Sequence, residues 1–149
     1  MVQPRTLLKY CLFGGLEEEQ VEKILPLMQQ EKYDPEKTII PEGKPNDRVY
    51  FLIKGQVAVV KKEVELSRLG EGEVFGEMEV LDIMPAVASV KSLSSVTVMY
   101  ISNRALREIY KTDVKIFSFI VMNLARNLSR RLRKMDELIT SSSSNQIFV

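Results

Sequence analysis

Residues 74–90, VFGEMEVLDIMPAVASV, hold the side chains best placed to do chemistry. Gly76 followed by Glu77 at the start of a short helix is a pattern that can cradle an anion. The first-turn N–H groups of a helix point outward unpaired, and a missing Cβ lets a ligand approach the backbone. The charges argue the other way. Glu71, Glu73, Glu77, Glu79 and Asp82 place five carboxylates within twelve residues, and no Lys or Arg follows before Lys91. Such a field opposes a phosphate and suits a neutral or cationic group. Strand alternation from Val87 and Ser89 leaves the direction of Lys91 open.

Composition removes most other chemistry. The chain contains no histidine, which excludes Ser/His and Cys/His nucleophilic pairs, imidazole acid–base catalysis and the usual zinc or iron ligand sets. No catalytic residues and no metal ligands are assigned, and an enzyme is not expected. The single cysteine, Cys11, cannot form an internal disulfide and fits a reducing, cytoplasmic setting. Among Leu8, Leu12 and Phe13 it reads as a buried apolar thiol. A net charge of +1 gives no global attraction to nucleic acid or an anionic membrane. No apolar run approaches the ~20 residues of a membrane span. The basic run ARNLSRRLRK, residues 125–134, carries five positive charges and reads as a solvated helix face.

The elements that must position the 74–90 stretch follow from periodicity. A short apolar helix is expected over residues 4–12, and a second over 16–29, with Leu16, Val21, Ile24, Leu25 and Met28 largely on one face and Pro26 ending or kinking it. From residue 32 to 101, short β-rich runs alternate with turn residues, the pattern of a sandwich or barrel. Lys62-Glu63 is the expected tip of a hairpin between residues 57–61 and 64–69. After Ile101 the pattern turns helical. Ser102 is a candidate cap for a helix ending near Lys111, and Thr112 or Asp113 for the next. That last helix, residues 113–139, spaces Phe117, Val121, Leu124, Leu128, Leu132, Met135 and Ile139 as a heptad-like seam. Its first turns, around residues 116–120, are expected to pack on the chain's own domain; farther on, the seam predicts a two-fold dimer. The polar tail, residues 140–149, reads as disordered.

Three segments carry a family resemblance. IIPEGKPNDRVYFLIKGQVAVV (39–60) resembles the glycine-punctuated strand pair of the cyclic-nucleotide-binding domain, LGEGEVFGEMEVL (69–81) its run into the phosphate-binding cassette, and PAVASV (85–90) the cassette's end. The resemblance implies a mainly β fold with flanking helices: a double-stranded β-helix (jelly roll) over residues 31–101 with its cassette at 74–90. An N-terminal helical segment (1–30) and C-terminal helices (102–139) flank it. It also implies that Phe75, Gly76, Glu77, Met78, Ala86 and Val87 surround the ligand position, with Glu77 accepting from the ribose 2′-hydroxyl. Binders in the family place an arginine where this chain has Ala86. One charge-assisted hydrogen bond is worth ~1.5–3 kcal/mol, so its loss predicts roughly 10- to 150-fold weaker binding of the cyclic phosphate.

The expected protein is therefore a stand-alone regulatory or adaptor module acting in trans on a partner protein, with cAMP or cGMP binding weak or lost. The alternative is a sensor that takes a cyclic nucleotide or another, non-anionic small molecule in the same pocket. Only ten residues follow Ile139, too few for the DNA-binding domain that transcription-regulating relatives carry there.

Overall fold

The computed structural model describes residues 2–147, with side chains through residue 142. Eight strands form two antiparallel sheets. β1 (Gln29–Tyr33), β8 (Val96–Ser102), β3 (Arg48–Lys54) and β6 (Val74–Phe75) make one; β2 (Thr38–Ile40), β7 (Ser89–Ser92), β4 (Val57–Lys61) and β5 (Val64–Leu69) make the other. This is the expected jelly roll. The apolar run of β3 is continuous because its sheet is covered on both faces. Tyr50 and Leu52 turn toward the second sheet, among Ile40, Val57, Phe75 and Val98. Val49 and Phe51 turn the opposite way, into a helical layer. In β6 the same period of two sends Val74 to the helices and Phe75 between the sheets.

The N-terminal helices are shorter than the periodicity suggests. α1 covers Pro4–Leu7, and a 3-10 turn at Cys11–Phe13 replaces the rest of the expected helix. That turn directs Leu12 and Phe13 inward and leaves Cys11 exposed, which corrects the buried-thiol expectation. α2 covers Glu18–Ile24, opened by a capping box between Glu17 and Gln20; Pro26 lies in a closing 3-10 turn, Leu25–Leu27. The hairpin tip is at Lys62 and Glu63 as expected. Both adopt positive φ, 48° and 67°, without the Asn-Gly pair that such a turn favours.

α3 (Glu77–Asp82) is the cassette helix. α4 (Asn103–Thr112) is capped by Ser102, whose Oγ accepts from Ala105 N–H at 3.0 Å. Asp113 caps α5 by accepting from Lys115 and Ile116 N–H at 3.1 and 3.2 Å. The bond from Ile116 N–H, followed by nearby Lys23 and then Lys115 N–H, holds its carboxyl below the usual range. α5 runs from Val114 to Ile147, past residue 139, so residues 140–147 are helical rather than a disordered tail; Phe148 and Val149 lie outside the described residues. Ile116, Ile120 and Leu124 of α5 are buried in the helical layer of this chain. Leu124 therefore leaves the predicted dimer seam, because the helix packs on its own domain one turn farther than expected. Phe117 is partly buried against the same layer. Leu132, Met135, Leu138 and Ile139 remain exposed beyond it.

Candidate functional site

The cassette begins where β6 meets α3. Gly76 sits between them at φ +81°, and a Cβ there would lie 2.6 Å from the Arg48 carbonyl and 2.8 Å from Asn46 Nδ2. Asn46 Nδ2 donates to the carbonyls of Arg48 and Gly76, tying the turn to β3. The glycine is thus required by packing against β3, whether or not anything binds. Beside it, Phe75 stacks on Tyr50 with ring centroids 4.9 Å apart.

Glu77, first in α3, is 1% exposed. Its carboxylate meets a residue that cassette-centred reading of the sequence did not bring to it. Arg131, on the second half of α5, donates from Nη1 to Glu77 Oε1 at 2.6 Å and from Nη2 to the Val74 carbonyl. The basic run is therefore not wholly a solvated face. One of its arginines enters the acidic pocket, while Arg130, Arg133 and Lys134 stay at the surface. Burial lifts the Glu77 carboxyl above the ordinary carboxylate range, against the opposing pull of Arg131 and of its own backbone N–H. Burial likewise raises half-buried Glu79, opposed by its backbone N–H and reinforced by Glu77 and Asp82. Glu73 and Asp82 serve local turns instead, accepting from Gly70 N–H at 2.6 Å and Met84 N–H at 3.0 Å.

The cavity here measures about 70 Å³ and is lined by Phe75, Gly76, Glu77, Met78 and Val87, together with Val59, Leu69, Glu79, Ala88, Val90 and Arg131. Five of the six expected site residues therefore converge. Ala86 does not line it. That residue is buried in the core between the sheets, with its backbone bonded to Gly43 and Lys44. Lys91 is exposed on β7 and contributes nothing. Among the described residues, Arg131 is the single base lining the cavity, against Glu77 and Glu79. A second cleft of about 270 Å³, with Asp47, Glu79, Ile83 and Asn103 in its walls, lies on the other side of α3 and does not include Glu77.

A second buried polar tie holds α5 farther back. Asn123, 5% exposed, donates to the Leu12 and Gly14 carbonyls, each at 2.9 Å, so that it anchors the helix to the N-terminal turn. Four residues on, Asn127 Nδ2 is buried without a partner among the described residues.

A two-sheet jelly roll, a short helix in the cassette and a long helix closing the pocket together make up the architecture around Glu77. The sequence profile described as "Cyclic nucleotide-binding domain" matches residues 30–113, and the chain belongs to that family. The "Cyclic AMP receptor protein" of Thermus thermophilus is 32% identical over 130 residues, which cover 84% of this chain and 58% of that protein. A "cAMP-dependent protein kinase regulatory subunit" of Yarrowia lipolytica is 34% identical over 79 residues, covering 53% of this chain and 21% of its own. The chain thus spans little more than half the length of the first relative and about a fifth of the second. Among solved structures, the Thermus thermophilus Catabolite Activator Protein aligns with a TM-score of 0.77 at 28% identity, covering 89% of this chain and 63% of that one. A cyclic nucleotide-binding domain from Methylobacillus flagellatus shares the fold, with a TM-score of 0.85 at 24% identity, over 94% of this chain and 82% of that one. The two sequence relatives are regulatory proteins. Among the described residues, no helix is long and apolar enough to cross a membrane.

Proposed function

We propose that this chain is a regulatory module of the cyclic-nucleotide-binding family that acts on a partner protein and binds cAMP or cGMP weakly or not at all. One observation carries this reading: the buried Glu77 carboxylate is already paired with the chain's own Arg131, 2.6 Å away. Three further features support it. Ala86 supplies no cation where the family's binders carry an arginine. The lining has two carboxylates against one guanidinium. The cavity of about 70 Å³ falls below the roughly 300–1,000 Å³ of sites that enclose drug-sized ligands. The exposed stripe of Leu132, Met135, Leu138 and Ile139 supports a dimer through the second half of α5, with Leu128 half-buried at its base.

Isothermal titration of purified protein with cAMP and cGMP tests the proposal. The expected result is no saturable heat at micromolar nucleotide. Affinity in the micromolar range or tighter overturns it.

A further inference from the structure

The Glu77 pocket is built of acceptors. It offers a carboxylate that is 1% exposed and, beside it, the Val74 carbonyl, and one planar cation bonds both. Two forked N–H donors meeting two acceptors is the geometry that a guanidinium matches and a point-charge ammonium does not. The remaining walls are mostly apolar, from Val59, Leu69, Phe75, Val87 and Val90, and the other charged residue in the lining is a carboxylate, Glu79. α3 has only six residues, so the pocket has no long helix dipole aimed at an anion. The guanidinium comes from a side chain that is 34% exposed and belongs to a part of α5 flanked by exposed residues. It can leave without unpacking the core, whereas Glu77 cannot follow it.

We propose that the cassette pocket of this chain is a guanidinium site, filled in the resting protein by Arg131 and open to exchange with a small alkylguanidinium ligand. This rests on reading the cassette as the ligand site of a regulatory module, and it names the ligand class. Exchange uncouples the second half of α5 from the cassette. The first half stays fixed, because Ile116, Ile120, Asn123 and Leu124 remain buried. The ligand signal is thereby confined to the segment that carries the exposed apolar stripe.

The test is thermal unfolding of Arg131→Ala in methylguanidinium chloride, against tetramethylammonium chloride at equal concentration. Methylguanidinium at about ten times its dissociation constant is expected to raise the Tm of this variant by about 4 °C. The Arg131→Ala/Glu77→Gln double variant should not respond. Equal stabilisation by both salts, or an undiminished response in the double variant, overturns the proposal. If Arg131→Ala does not fold, hydrogen exchange on the wild type decides. Methylguanidinium should speed amide exchange in α5 beyond Leu128 and leave residues 116–124 unchanged; an unaltered profile overturns exchange at this site. Wild-type affinity for cAMP that disappears in Arg131→Ala would assign Arg131 to the phosphate and also overturn it. Tight cAMP binding together with intact methylguanidinium rescue would retire the weak-nucleotide reading and leave the guanidinium site standing.

Discussion

Replacing Arg131 with Met keeps much of its aliphatic volume and removes the one cation that lines the pocket among the described residues. Glu77 is 1% exposed and remains where it is, so its ionised form loses its compensation. Removing one partner of a fully buried pair costs ~3–5 kcal/mol. The Arg131 side chain is 34% exposed, so solvent already screens part of the interaction, and about 2–3 kcal/mol is expected near neutral pH. For a chain of this size that lowers Tm by roughly 6–9 °C. Glu77→Gln should cost less, about 1 kcal/mol or under, because the arginine turns to water and no charge is left buried. The penalty must also depend on pH. The folded-state pKa of Glu77 is raised by burial, so its contribution to stability is present below the unfolded value and lost as pH rises through the folded one. Without Arg131 that loss deepens. Arg131→Met should therefore be clearly destabilised at about pH 8 and much less so at about pH 5. Urea unfolding of wild type, both single variants and the double variant at the two pH values measures all of this. The double variant should be more stable than Arg131→Met at the higher pH. Equal costs for the two single variants, or a penalty that does not change with pH, would refute the reasoning.

Other expectations concern backbone and assembly. Gly76→Ala places a Cβ 2.6 Å from the Arg48 carbonyl at φ +81°, and should lose at least about 2 kcal/mol in chemical denaturation. Lys62→Asn with Glu63→Gly gives the hairpin tip residues that tolerate its φ values of 48° and 67°, and should gain about 1 kcal/mol, read as a higher Tm. Leu132→Glu, at a residue 62% exposed in the single chain, should leave the fold intact by circular dichroism. In sedimentation it should shift a wild-type dimer to monomer; a monomeric wild type removes the dimer proposal.

Much of the fold was legible because it is written in local period and turn chemistry. The β-rich runs set off by turn residues, the hairpin placed at Lys62-Glu63, the Ser102 cap and a cap at Thr112 or Asp113 each need only neighbours within a few residues. Helix ends were less legible. Cys11 faces outward because a 3-10 turn and an α-helix direct the same three residues to different sides, and the choice depends on what Leu12 and Phe13 pack against. Leu124 belonged equally well to a heptad seam and to a core face. Only the position of α5 over Ile109 and the N-terminal turn put it inside.

The candidate site divides along the same line. The sequence by itself determined a cassette framed by Phe75-Gly76-Glu77, with Ala86 in place of an arginine and a surplus of acid. It could not determine the charge of the pocket. That charge depends on a residue 54 positions away, brought in by a helix whose path is set by Ile116, Ile120 and Leu124 packing into the core. Counting along the chain finds five carboxylates and no base between Glu71 and Lys91. Electrostatic energy falls with distance in space, and in space the nearest cation to Glu77 is Arg131, 2.6 Å away.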